Sequence, residues 1–153
     1  MGDVYFYHLT KSPIFTVIND LISKCMAKGW RIAIVGKQLK NLEYLNILLW
    51  ESKDNVFIPH GLSNGINDDD QHVLLTINPI DYSTRQVLIV IDDAEFISSD
   101  SSHLERVCIL FDGNNFESLA EARSKWKLIT GAGIPAQYWS QATGNWEKKA
   151  SSN

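Results

Sequence analysis

Arg123, Trp126 and Lys127 stand three and four residues apart in the run Leu119–Lys127, which is made of strong helix formers. On a helix that spacing gathers all three onto one face. Two cations beside a large indole suit a ligand that is both acidic and apolar. A guanidinium can take a carboxylate in two parallel hydrogen bonds, and a lysine adds a point charge. The same spacing also fits a solvated amphipathic face whose Trp turns inward. Charge distribution favours the receptor. Residues 120–153 carry five Lys/Arg against two acids, whereas the other 119 residues carry nine against sixteen. Three of the five tryptophans, Trp126, Trp139 and Trp146, also fall in this basic segment.

The elements that must position these side chains belong to an ordinary globular chain, with 153 residues, 44% hydrophobic and 21% charged. That length suits one domain spanning 1–153, able to bury roughly two thirds of its unfolded surface. Residues 142–153 are expected to fray at the end, although Trp146 is expected to pack. No apolar run approaches the roughly 20 residues that span a bilayer. The start, Met-Gly-Asp-Val-Tyr-Phe-Tyr, lacks a basic segment followed by an apolar signal core, so a cytoplasmic location is expected. Cys25 and Cys108 read as small buried hydrophobes of a reducing compartment. A net charge of −4 argues against a general nucleic-acid binder. Only the basic, Trp-rich C-terminal segment could stack on single-stranded bases.

Patterning predicts strands at Val4–Leu9, Arg31–Val35, Val73–Ile77, Val87–Ile91 and Arg106–Phe111. It predicts helices over 14–28, closed by Gly29, over 38–50, and over 115–130. The middle helix is expected to bury Leu42, Leu45, Ile47, Leu48 and Leu49. Val56–Pro59 reads as a short extended piece and Gly61–Gln71 as an exposed loop. Ala136–Gln141 suits either a last strand or an extended arm. Alternating strands and helices imply a three-layer α/β/α sandwich, Rossmann-like, with a mostly parallel sheet. Residues 78–111 look short of a full crossover helix, so some antiparallel pairing is expected there.

Other chemistry finds less support. Val87–Glu95 resembles a strand that carries a magnesium-binding acid, with Asp92 and Asp93 as the acids. A nucleotide-dependent enzyme would also need a Gly-rich loop ending in Gly-Lys-Ser/Thr. Val35-Gly36-Lys37-Gln38 has one glycine and Gln in place of the hydroxyl. His8, His60, His72 and His103 are scattered away from metal-ligand spacing, and Asp68-Asp69-Asp70 lacks the pattern of a calcium loop. No Gly-x-Ser-x-Gly elbow is present. No catalytic residue, metal or cofactor is therefore assigned. A second surface surrounds Trp50 and Phe57-Ile58-Pro59-His60. Its aromatics suit a core, or the anchors of a protein interface.

These landmarks, in their order and spacing, resemble the chi subunit family of bacterial DNA polymerase III. They are the Val4-Tyr5-Phe6-Tyr7 strand, Leu49-Trp50, Phe57–Leu62, Leu110-Phe111-Asp112-Gly113, and Ala122–Lys127 running into Gly131-Ala132-Gly133 and Tyr138-Trp139. Residues 63–105 match only in hydrophobic pattern. The resemblance implies a Rossmann-like fold that binds no nucleotide, in a non-catalytic part of a polymerase holoenzyme. It implies a tether that grips the acidic, Phe-terminated C-terminal tail of single-stranded DNA-binding protein, so that DNA is contacted indirectly and no membrane is involved. Arg123 and Lys127 would hold the tail's carboxylates and Trp126 would supply apolar wall. Phe111 and Asp112 would line the same groove. Asp112 replaces what is often an apolar residue, and Thr130 stands where a further basic residue can occur, which implies a less cationic groove. Trp50, Phe57, Pro59 and His60 would dock a second subunit, psi, linking the chain to the clamp loader.

Overall fold

The apolar runs form the interior of one sheet, and their alternation decides which helix each residue meets. The computed structural model describes residues 3–10, 13–51, 60–62, 72–77, 85–94, 104–141 and 146–152. In chain order the elements are β1 (Asp3–Leu9), α1 (Ile14–Ala27), β2 (Ile32–Val35), α2 (Leu39–Glu51), β3 (His60–Leu62) and β4 (Val73–Thr76). They continue with β5 (Val87–Val90), β6 (Arg106–Asp112), α3 (Phe116–Gly131), β7 (Ala136–Ser140) and β8 (Glu147–Ser152). Across the sheet the order is β3-β4-β2-β5-β6-β1-β7-β8.

Successive strand residues point to opposite faces, and the two cores follow that rule. Ile32, Ile34, Val87, Ile89, Cys108 and Leu110 pack beneath α1 and α2, with Ile18, Ile22, Leu42 and Leu45. Val4, Phe6, Ala33, Val35, Leu88, Val107, Ile109 and Phe111 pack on the other side, with Ala122 and Ile129 of α3. The three-layer arrangement expected from the sequence is thus present. β2, β4 and β5 are buried along their whole length, which explains why they read as unbroken apolar runs. Cys25 and Cys108 are buried free thiols. None of the described helices is long and apolar enough to cross a membrane.

Four details differ from the sequence reading. β4 and β5 both pair with β2 in parallel, and β5 pairs with β6 in parallel. The antiparallel pairing expected in a mostly parallel sheet is present instead as β7–β8, whose second strand falls in the segment expected to fray. β4 can precede β5 without antiparallel pairing because β2 is inserted between them. Gly61 and Leu62 belong to β3, a parallel edge strand on β4, rather than to a loop. Ile47 is 55% exposed, because the buried stripe of α2 runs through Leu42, Leu45 and Leu49 and leaves Ile47 on the far side.

Chain reversals are locally specified. Gly29 closes α1 at φ 73°, a conformation open to glycine at little steric cost. Asn115 caps α3 by accepting the Ser118 backbone N–H at 3.0 Å. Gly133, at φ 79°, turns the chain from α3 into β7.

Ile89→Ala, at the fully buried centre of β5, should lower stability by about 2–5 kcal/mol. Ile47→Ala should stay within about 0.5 kcal/mol of the parent protein. Urea denaturation of both variants checks this, and equal losses would contradict the rotation assigned to α2.

Candidate functional site

α3 crosses the sheet with Ala122 and Ile129 inward, and this rotation leaves Arg123 and Lys127 on an exposed rim. Between them Trp126 turns partly down. Its indole meets the Phe6 ring edge-to-face at 5.4 Å and the Tyr138 ring at 6.0 Å. Phe6 and Tyr138 are register partners on adjacent parallel strands, and their rings lie at 6.3 Å. Trp126 therefore packs on the core and also walls an open groove.

That groove has a volume of about 500 Å³. Arg123, Trp126 and Lys127 line one side, and His8, Tyr138, Ser140 and Lys149 line the other. The cations of the helix thus face the same cavity as two rings and a third cation. Thr130 adds no charge and donates its hydroxyl to the Trp126 carbonyl, one turn back, at 2.8 Å.

His8 and Tyr138 form the floor. Their Nδ1 and hydroxyl lie 3.0 Å apart. Burial holds the His8 imidazole below its ordinary value of 6.5, and the nearby Arg123 guanidinium acts the same way. The Gly113 backbone and the Asp112 carboxylate pull in the opposite sense. Burial pushes the Tyr138 phenol up, against the pull of Arg123. Near neutral pH the floor is therefore uncharged, and the Tyr138 hydroxyl can donate to Nδ1. Gly113 makes this packing possible: a Cβ at that position would overlap the His8 imidazole.

Phe111 and Asp112 end β6, the strand paired with β1, where they are the register partners of His8 and Leu9. Phe111 is 4% exposed and packs beside His8 and Tyr138, with ring centroids at 5.3 and 5.9 Å. Asp112 accepts the Asn114 backbone N–H at 2.9 Å, which shapes the turn into α3. Both border a neighbouring cavity of about 330 Å³, so the structure places them beside the Arg123 groove and not in its lining. Of the second surface, His60 opens β3 at 5% exposure. Phe57, Pro59 and the side chain of Trp50 lie outside the described residues.

The basic C-terminal segment is not one surface. Trp139 and Trp146 border a separate cavity on the α1 side, with Tyr5, Tyr7, Asp20 and Arg106. Trp146 packs edge-to-face on Tyr7 at 5.5 Å, and the Arg106 guanidinium lies 4.5 Å from the Tyr5 ring. Asp92 and Asp93 both adopt left-handed backbone and face different helices. Asp92 accepts the Asn41 amide of α2 at 3.0 Å, and Asp93 accepts the Ser118 hydroxyl of α3 at 2.8 Å. No group of three or more His, Cys, Asp or Glu among the described residues is placed to hold a metal.

Sequence reasoning missed His8, Tyr138, Ser140 and Lys149. Alternation along β1 already put His8 on the face of Val4 and Phe6. The rest required knowing that β7 pairs with β1, and that β8 returns beside it.

Fold and groove define an open, largely parallel α/β protein with a cationic, aromatic-floored cleft at one sheet margin. The structure is similar to the C-terminal domain of the DEAD-box protein Dbp5, with a TM-score of 0.59 and 18% identity over 95% of this chain and 92% of that one. At that identity the likeness concerns the fold alone. No curated protein sequence matches. The family model described as DNA polymerase III chi subunit, HolC, matches residues 1–137, and the chain belongs to that family. It is thereby placed among the accessory subunits of a replicative polymerase. β8 and its Lys149 lie beyond the matched residues.

Two outcomes follow from the floor of the groove. His8 protonates less readily in the folded chain than in the unfolded one, so its contribution is present above pH 6.5 and is lost as pH falls toward its lowered folded value. Chemical denaturation between pH 8 and pH 5 should show this decline, and His8→Gln should flatten it. Gly113→Ala should cost about 1–3 kcal/mol through overpacking. A melting temperature equal to that of the parent would contradict the close approach of His8.

Proposed function

We propose that the groove receives the acidic, Phe-terminated C-terminal tail of single-stranded DNA-binding protein, and that the chain tethers the polymerase III assembly to DNA coated by that protein. The observation that carries this reading is that Arg123 and Lys127 border one groove whose wall and floor are Trp126 and Tyr138. Family membership supports the replication context.

The division of labour follows from magnitudes. Exposed charge pairs contribute only about 0–1 kcal/mol each. Affinity must therefore come from an apolar anchor set against Trp126 and Tyr138, while the cations orient the tail and speed encounter. DNA is contacted indirectly in this reading. The acidic remainder of the chain disfavours the phosphate backbone, and Trp139 and Trp146 lie on the opposite side of the sheet from Trp126.

By the same family logic, Trp50, Phe57, Pro59 and His60 form a second contact surface for a psi-like subunit, joining the chain to the clamp loader. Co-purification from the native host tests that link. A clamp-loader complex recovered without any second small subunit would contradict it.

Isothermal titration with an acidic peptide ending in Phe should give micromolar binding, about −8 kcal/mol, at low salt. Arg123→Ala combined with Lys127→Ala should weaken it by about tenfold or more. Unchanged heat in the double variant excludes this groove as the site.

A further inference from the structure

β8 supplies the groove with a cation that the helix does not. It runs antiparallel to β7 at the sheet margin, and its pairing contains an irregularity. Trp139 pairs with Lys148 and Tyr138 with Ala150, so Lys149 is left without a register partner. An extra residue of this kind re-aims a side chain at the edge of a sheet. Lys149 is the side chain so placed, and it lines the groove opposite Arg123 and Lys127. Lys148, matched to Trp139, is not part of that lining.

Lys149 is also held. Its ammonium donates to the Glu147 carboxylate at 2.7 Å, and the two side chains are 45% and 47% exposed. This contact sets an acid of the chain itself beside the cation at the margin of the groove. An ion pair this exposed is weak, and a better-placed carboxylate can replace it at little cost.

We propose that β8 is the second jaw of the groove, with Lys149 binding an acidic residue of the peptide and Glu147 standing in for that acid until the peptide arrives. The inference rests on the reading that the groove takes an acidic peptide, and adds which residue clamps from the far side and what competes with the ligand. Binding then exchanges one carboxylate for another on Lys149. Glu147 lowers affinity, and so favours peptides with several acids over those with one.

Fluorescence polarisation of a labelled acidic peptide ending in Phe tests this, with far-UV melting of each variant as a check on folding. Lys149→Gln should weaken binding by about two- to fivefold, the range of one exposed charge pair. Lys149→Arg should retain binding, and Lys148→Gln should leave it unchanged. Glu147→Gln should tighten binding, by about twofold or more, and this gain should vanish when Lys149→Gln is also present. Parent-like affinity in Lys149→Gln, with binding still lost in Arg123→Ala, overturns the second jaw and leaves the groove reading intact. No binding by the parent protein overturns both. Equal weakening by Lys148→Gln and Lys149→Gln would show a diffuse charge effect and also overturn it.

Discussion

Trp126 wedged against Phe6 and Tyr138 is the contact on which the rest depends. The indole meets two rings that are themselves paired across β1 and β7. A helix on a sheet can in principle rotate about its axis, and such an aromatic cluster opposes rotation through both buried area and ring geometry. Fixing Trp126 fixes Arg123 three residues before it and Lys127 one after. The cations therefore stand over the groove because an apolar contact holds the helix, and their own charge does little to place them.

The floor is built so that it does not compete with those cations. A charged imidazole at His8 would face Arg123, and burial already disfavours that state. A neutral ring bonded to Tyr138, and set edge-to-face against it, gives instead an uncharged aromatic base with one polar edge. It is flanked by Phe111 and made possible by the missing side chain at Gly113. Positive charge is thus confined to the rims and apolar surface to the base. An acidic peptide with an aromatic end has the complementary division.

Much of this was legible before any coordinates. The apolar runs of β2, β4 and β5 could be read because they are covered on both faces, and the shared face of Arg123, Trp126 and Lys127 on α3 could be read from their helical spacing. Ile47 was misplaced because α2 is apolar around much of its circumference, so that composition alone does not choose the buried stripe. Lys149 was invisible for another reason. The sequence around it is largely polar and charged, and β8 is placed by pairing with β7, a tertiary event with no local signature. Phe111 was expected in the groove on family grounds; it lies on the same face of the sheet, beside His8, but is buried there and borders the neighbouring cavity.

Backbone and indole NMR of the protein titrated with an acidic, Phe-terminated peptide tests the central claim most directly. Five tryptophans give five indole reporters. The account predicts that the Trp126 indole shifts together with the amides of Arg123, Lys127 and Tyr138, while the Trp146 indole across the sheet stays in place. Perturbation centred on Trp139 and Trp146, with Trp126 unmoved, would contradict it.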